Sequence, residues 1–150
     1  MRRARRGAVI TAALTTLASA ALLASAGPAS AADGYNGACG SGYAFVDAID
    51  LYLPYDHSFV GTTYLTYNRS NGYNCAVVQL EPSPTVRWSR VVLSRGDGSG
   101  RDRDMGYYRS YAGPVYTYAR RTCIDWSAFV GETDNDLGAA RVDLDDVRCG

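Results

Sequence analysis

The chain has 150 residues, of which 47% are hydrophobic and 20% charged, enough for one globular domain with a modest core. Its formal net charge is zero, but four of its fifteen basic residues, which are all arginine, lie before residue 33. Residues 33–150 therefore carry eleven arginines against fifteen acidic side chains, a net charge of −4. Binding to a nucleic-acid backbone needs a basic surface, so this balance argues against nucleic acid as a partner.

Residues 1–32 have the pattern of a secretory signal peptide. Four arginines form a positive start, residues 8–26 form an apolar run, and Ala29, Ser30 and Ala31 supply the small residues that a signal peptidase reads. The run is near the length of about 20 residues that spans a bilayer, but it is dominated by Ala, Ser and Thr, so cleavage is favoured over a membrane anchor. We expect residues 1–32 to be removed, leaving residues 33–150 as a single secreted β domain with no membrane association.

The four cysteines are Cys39, Cys75, Cys123 and Cys149, and all of them follow the signal segment. An even number of cysteines in an exported chain predicts two disulfides. Metal binding is the alternative, but spacings of 36, 48 and 26 residues fit no zinc site, and the single histidine, His57, is far from each cysteine in sequence. Each bridge is expected to stabilise the fold by about 3 kcal/mol, because it restricts the unfolded chain.

Frequent turn signals, many Tyr, Val and Thr residues, and no sustained helical period predict short strands in an all-β sandwich or barrel. In chain order, the predicted strands are residues 43–53, 62–67, 75–80, 86–93, 107–111, 115–119, 123–130 and 140–147. In the first strand Phe45 and Ile49 would also suit a helix, although its aromatic and β-branched content favours a strand. Residues 68–72 predict a hairpin turn, because Asn and Gly tolerate positive φ. Residues 94–106 are polar and rich in Gly, Asp and Arg, which predicts an exposed loop.

The last two strands show the clearest alternation of apolar and polar side chains. Their apolar positions are Ile124, Trp126, Ala128 and Val130, followed by Ala140, Val142 and Leu144. Such alternation is typical of a strand with one face on the core. We therefore predict that the two strands are neighbours and that Trp126 lies in the core.

Strand direction selects one of the three possible disulfide pairings. If the first two strands are antiparallel neighbours, the hairpin returns Cys75 to the end at which the first strand begins, beside Cys39. If the last two strands pair in the same way, Cys123 lies beside Cys149. We predict the bridges Cys39–Cys75 and Cys123–Cys149, with Cα separations of about 4.4–6.8 Å.

No motif in the sequence selects a catalytic residue. His57 is flanked by Asp56 and Ser58, but adjacent side chains on an extended chain point apart, and no G-x-S-x-G motif supplies a nucleophile. We expect His57 to be an exposed loop residue that is dispensable for folding.

Two further groups of acidic residues do not define a catalytic or calcium-binding site. Asp47, Asp50, Asp125 and Glu132 could furnish a glycosidase pair, but nothing in their spacing selects two of them. Residues 97–104 resemble a calcium loop but do not fit the D-x-[DN]-x-[DN]-G-x5-E pattern, and their two arginines would repel the ion. We predict no catalytic residue, no cofactor and no metal site.

Aromatic residues are the most suggestive feature of the predicted surface. The chain contains twelve tyrosines and two tryptophans, all of them after residue 32. Flat rings on a β-face could stack on sugars or on another protein surface. The simpler interpretation is that tyrosine forms strands well and is easily half-buried.

Several segments resemble a known family of secreted proteins. They are DGYNGACGSGY at residues 33–43, GTTYLTYN at residues 61–68, NCAVV at residues 74–78, YAGPVY at residues 111–116, CIDW at residues 123–126, and the final Cys149-Gly150. Together they resemble the small secreted proteins of the spore-associated protein A family of filamentous actinobacteria. The resemblance spans essentially the whole predicted mature chain and includes all four cysteines, whereas residues 95–109 and 134–146 depart from it. It implies no catalytic residue and no cofactor.

From this resemblance we expect a secreted, non-catalytic, disulfide-stabilised protein at the cell or spore surface, with cell-wall or spore-surface material as its partner. A carbohydrate-binding module is the first alternative, and a row of exposed aromatic rings would favour it. A small secreted hydrolase or toxin would need a cleft that joins His57 to carboxylates. A protease inhibitor would need a rigid exposed loop braced by a disulfide. The sequence selects no oligomeric state.

Overall fold

A computed structural model describes residues 34–150, so the predicted signal peptide lies outside the described residues. The described chain forms eight strands: β1 (Ala44–Tyr52), β2 (Phe59–Asn68), β3 (Tyr73–Leu80), β4 (Arg87–Arg95), β5 (Asp102–Tyr108), β6 (Tyr111–Tyr118), β7 (Ile124–Gly131) and β8 (Ala140–Val147). Within residues 34–150, no helix has the length and apolarity needed to cross a bilayer.

The strands form two four-stranded sheets that pack face to face. The first sheet has the order β1-β2-β3-β6, and the second has the order β5-β4-β7-β8. Neighbouring strands are antiparallel in both sheets. The prediction of an all-β fold is confirmed, and the architecture is a sandwich. The first predicted strand is also confirmed as a strand rather than a helix.

The core lies between the sheets, because the central strands turn alternate side chains inward. Val91 and Leu93 of β4 and Trp126 and Ala128 of β7 are each at most 2% exposed. The Trp126 indole N–H donates a 3.1 Å hydrogen bond to Oγ1 of Thr63 on β2, which satisfies the polar group of a buried ring. The predicted core position of Trp126 and the predicted pairing of the last two strands are therefore confirmed.

Both predicted disulfides are present in the described chain. Cys39 bonds to Cys75, with Cα atoms 6.1 Å apart, and Cys123 bonds to Cys149, with Cα atoms 3.9 Å apart. The strand directions used to predict them are also observed, since β1 pairs with β2 and β7 with β8, both antiparallel. The second Cα separation is shorter than the predicted range, and Arg148, next to Cys149, has a positive φ of 53°.

The prediction of an exposed loop over residues 94–106 is wrong. β4 continues to Arg95 and β5 begins at Asp102, so only residues 96–101 connect the two strands. The predicted strand over residues 107–111 is wrong as well. That segment holds the end of β5, a two-residue turn and the first residue of β6.

The sequence pattern does not reveal β5, because aspartates rather than apolar residues occupy its inward positions. Asp102 accepts a 2.8 Å hydrogen bond from the backbone N–H of Tyr116, and Asp104 accepts one of 2.6 Å from the backbone N–H of Gly113. The Tyr108 hydroxyl donates a further 2.6 Å bond to Asp104. These contacts join β5 to β6 at one corner of the sandwich, where side chains replace the backbone ladder between the two sheets.

Candidate binding face

The chain's own N-terminal segment, residues 34–43, lies over the centre of the outer face of the first sheet. The Cys39–Cys75 bridge fastens this segment to β3. The Tyr35 ring packs on Tyr64 of β2, with ring centroids 5.4 Å apart. On β3, the Gln79 side-chain amide donates to the backbone carbonyl of Gly34 at 2.7 Å. The segment is therefore held by covalent, aromatic and polar contacts.

The covering makes both faces of the central strands of this sheet dry. Val77 points outward, since it alternates with the core residues Ala76 and Val78, yet it is 0% exposed. The Tyr35 hydroxyl accepts a 2.8 Å bond from the backbone N–H of Cys39. Burial raises the pKa of Tyr35 above its ordinary value of 10.0. The segment therefore forms an additional packed layer over the centre of this face, whereas the Tyr52–Phe59 and Tyr73–Tyr118 pairs of the same sheet stay exposed.

The outer face of the second sheet is open to solvent, and we call it the open face. It alternates with the core positions of β4, β5, β7 and β8, and cross-strand partners align its side chains in rows. Its members are Trp88, Arg90, Val92, Arg103, Met105, Tyr107, Ser127, Phe129, Arg141 and Asp143. Aromatic residues, Met and Arg are the types that are enriched at binding surfaces.

One end of the open face carries an aromatic pair. Trp88 of β4 is the cross-strand partner of Tyr107 of β5, and their ring centroids lie 5.2 Å apart in an edge-to-face arrangement. Tyr107 is 57% exposed, whereas Trp88 is partly buried. The pair offers a fixed apolar surface next to polar groups.

Arginines pack around the middle of the open face. The guanidinium carbons of Arg90 and Arg141 lie 5.3 Å and 5.7 Å from the centroid of the Phe129 ring. At such distances a guanidinium is attracted to the ring face. Phe129 is only 4% exposed as a result, and it serves as a platform that orients two cations.

Two adjoining cavities indent the open face. The first, here called the arginine cleft, has a volume of about 240 Å³ and is lined by Arg90, Val92, Arg101, Arg103, Met105 and Ser127. The second, here called the acidic cleft, has a volume of about 120 Å³. Its lining includes Asp125, Asp143 and Asp145, and it shares Val92, Arg101 and Ser127 with the arginine cleft. The open face therefore carries cationic and anionic regions side by side.

His57 is an exposed loop residue, as predicted. It lies between β1 and β2 at a φ of 58°. The neighbouring Ser58 hydroxyl donates to Asp56 at 2.7 Å, and this bond and the Ser58 backbone N–H hold the pKa of Asp56 below its ordinary value. Ser58 is thus paired with the carboxylate rather than with the imidazole.

Three of the four candidate carboxylates each have a different partner, and the fourth, Glu132, is exposed. Asp47 forms an ion pair with Arg148, and Asp50 accepts a 2.8 Å bond from the Thr62 hydroxyl. Asp125 accepts the backbone N–H of Asp146 at 3.0 Å, and Glu132 is exposed in the loop after β7. Within residues 34–150, no group of three His, Cys, Asp or Glu side chains is placed to hold a metal ion.

The exposed aromatic rings form separate pairs rather than one row. Besides Trp88 and Tyr107, Tyr52 pairs with Phe59 and Tyr73 pairs with Tyr118, each at 5.6 Å between centroids. Sequence reasoning did not find the open face, because it placed β5 in a loop. The alternation of Arg103, Met105 and Tyr107 with Asp102 and Asp104 is the signal that could have placed it.

The fold and its surfaces define a class of protein: a small β-sandwich with two disulfides, one outer face that is covered at its centre and one that is open. No protein-family model matches the chain, and no solved structure matches it. Over 109 residues the chain is 42% identical to spore-associated protein A of Streptomyces coelicolor (strain ATCC BAA-471 / A3(2) / M145). The match covers 72% of this chain and 66% of that protein, just under two thirds of the relative's length. This match confirms the resemblance to the spore-associated protein A family seen in the sequence.

Proposed function

We propose that this is a secreted, non-catalytic protein of the cell or spore surface, and that it works by binding surface material through the open face. Two disulfides fit an oxidising, extracellular compartment. The name of the Streptomyces relative speaks of association with spores. The observation that carries the proposal is the contrast between the centres of the two outer faces. The N-terminal segment lies over the centre of the first, whereas the second presents Met105, Tyr107 and several arginines to solvent.

A carbohydrate-binding module is the second candidate, and the Trp88–Tyr107 pair favours it. A sugar ring packs its C–H groups on an aromatic face and uses its hydroxyls as hydrogen-bonding groups. The open face offers an exposed Tyr107 beside arginine, serine and aspartate side chains. This candidate specifies the surface material and keeps the same binding face.

Fractionation of a sporulating actinobacterial culture tests the proposal. The protein is expected on washed spores or cell walls, and its N-terminus is expected at Ala32 or Asp33. The double variant Trp88→Ala/Tyr107→Ala is expected to shift several-fold toward the culture medium. Tyr52→Ala is the control, because it removes an exposed ring from β1 of the other sheet.

Separate results would contradict secretion, the role of the open face and the carbohydrate-binding candidate. Recovery of the protein in the cytoplasm with an intact Met1 contradicts secretion. Equal retention of the wild type and the double variant contradicts the role of the open face. Sedimentation with chitin, cellulose and peptidoglycan tests the second candidate, which requires that at least one of them retain the wild type and release the double variant.

A further inference from the structure

We propose that the arginine cleft binds an anionic group, a carboxylate or a phosphodiester, carried by a surface glycan whose sugar ring packs on the Trp88–Tyr107 pair. The inference rests on the proposed function, because it names the chemistry that the open face recognises. It adds a ligand class and a set of residues that surface association alone does not require.

Three of the six residues that line the arginine cleft are cationic, and none is acidic. Arg90, Arg101 and Arg103 supply three guanidinium groups, Ser127 supplies a hydroxyl, and no carboxylate belongs to the lining. Guanidinium groups bind carboxylate and phosphate oxygens through paired, charge-assisted hydrogen bonds. A cavity of about 240 Å³ accommodates one such anionic group together with water.

None of these arginines forms an ion pair within the part of the chain that the structure describes. The ion pair found there joins Arg148 to Asp47, far from the cleft in sequence, and none of the three cleft arginines takes part in it. Arg90 also carries a buried Nε without a hydrogen-bond partner. A buried donor that lacks a partner costs free energy.

The cleft is also partly organised before a ligand arrives. The stacking of the Arg90 guanidinium over Phe129, at 5.3 Å, limits the rotamers of that side chain. Arg103 projects from β5, whose backbone pairs directly with Val92 of β4. Strand-borne groups lose less entropy on binding than loop-borne groups do.

The surroundings of the cleft favour an isolated anionic group over a continuous polyanion. On one side, the acidic cleft places Asp125, Asp143 and Asp145 next to Arg101, so a second anionic group there would be repelled. On the other side, Trp88 lies two residues from Arg90 along β4, a distance of about 7 Å. An anionic substituent in the cleft therefore has an apolar ring surface within reach of the adjoining sugar.

Binding measurements on the secreted protein test this assignment. The probes are polygalacturonate as a carboxylate polymer, a poly(glycerol phosphate) as a phosphodiester polymer, and cellulose as a neutral polymer. We expect one or both anionic polymers to bind in a salt-dependent way, and whichever binds identifies the source of the anionic group. Arg101→Gln and Arg103→Gln are each expected to weaken binding about tenfold, because each removes a charge-assisted contact.

Arg69→Gln is the matched control, since Arg69 is an exposed arginine in the turn between β2 and β3 of the other sheet. Its affinity is expected to stay within about twofold of the wild type, as a distant exposed charge is screened. Equal losses in all three variants would reveal non-specific charge attraction and overturn the assignment. Unchanged binding in Arg101→Gln and Arg103→Gln, or equal binding of cellulose, would overturn it as well.

A second copy of the chain is the competing occupant, and gel filtration distinguishes it. If Arg103→Gln changes only the oligomeric state, the cleft binds carboxylates of another copy and the glycan assignment is wrong. The proposed function fails separately. A protein that stays on spores without binding either anionic polymer contradicts the glycan assignment alone, whereas one that binds a polymer yet is absent from the surface contradicts surface association alone.

Discussion

In both sheets, side chains alternate between the core and the outer face, but the outward side chains differ in their exposure to solvent. In β3, the outward Val77 is covered by the N-terminal segment and is 0% exposed. In β4, the outward Val92 lines two surface clefts. Strand periodicity alone does not distinguish these valines. The difference lies in a ten-residue segment outside the sheets and in the disulfide that fastens it, so a short extension decides whether the centre of an outer face is buried or exposed.

Removing the disulfide that fastens the N-terminal segment is expected to have the largest effect on the difference in burial between the two outer faces. Cys39→Ala/Cys75→Ala is expected to lower the free energy of unfolding by about 3 kcal/mol, because the unfolded chain regains the entropy of a large loop. The free segment would also expose apolar side chains of β2 and β3. Denaturant unfolding measures the first effect, and binding of a hydrophobic dye to the folded protein measures the second.

Cys123→Ala/Cys149→Ala provides the control, since that bridge closes a loop of similar size and lies away from the N-terminal segment. A comparable loss of stability without increased dye binding is expected. Dye binding of equal strength in both double variants would show that the segment remains in place without its disulfide.

The two outward valines allow a matched comparison of smaller size. Val77→Ala is expected to cost about 2 kcal/mol, as for a fully buried side chain, whereas Val92→Ala is expected to cost less than about 0.5 kcal/mol, as for a surface substitution. Chemical denaturation of the two variants measures the difference. Equal costs would mean that the first sheet's outer face is no drier than the open face.

The smallest expected effect concerns the environments of two adjacent tyrosines at the end of β5. Tyr107 lies on the open face, whereas the Tyr108 hydroxyl donates to Asp104, which raises the pKa of Tyr108 from 10.0 to about 12. The raised pKa in the fold means that the contribution to stability is complete below pH 10 and is lost as the pH rises through about 12. Ultraviolet titration should show a late tyrosinate step that is absent from Tyr108→Phe and retained in Tyr107→Phe. Loss of the late step in both variants would contradict the assignment to Tyr108.

What the sequence could predict was local pattern and chain direction. Ile124, Trp126 and Ala128 alternate cleanly, and the hairpin at residues 68–72 fixes the return of Cys75, so the strands and the disulfides followed from these signals. β5 could not be found in this way, because carboxylates occupy its inward positions and bond to the backbone of β6. A prediction from hydrophobic alternation therefore misses a strand whose inward side chains are polar.

The open face could not be predicted because it depends on which strands become neighbours. Trp88, Tyr107 and Phe129 are far apart in sequence, and the order β5-β4-β7-β8 brings them onto one surface. The covered face was hidden for a related reason. The sequence of residues 34–43 is typical of a turn-rich loop, and only its long-range contacts with Tyr64, Cys75 and Gln79 reveal its role.

The corner between β5 and β6 has a consequence for how copies of the chain can meet. The edge strand of a sheet offers unpaired N–H and C=O groups to which another chain can add, and this is a common start of aggregation. At this corner, two N–H groups of β6, those of Gly113 and Tyr116, are already taken by Asp104 and Asp102. An incoming strand would have to displace both carboxylates. The fold thus discourages fibril-like growth along this margin, even in a crowded layer of identical molecules.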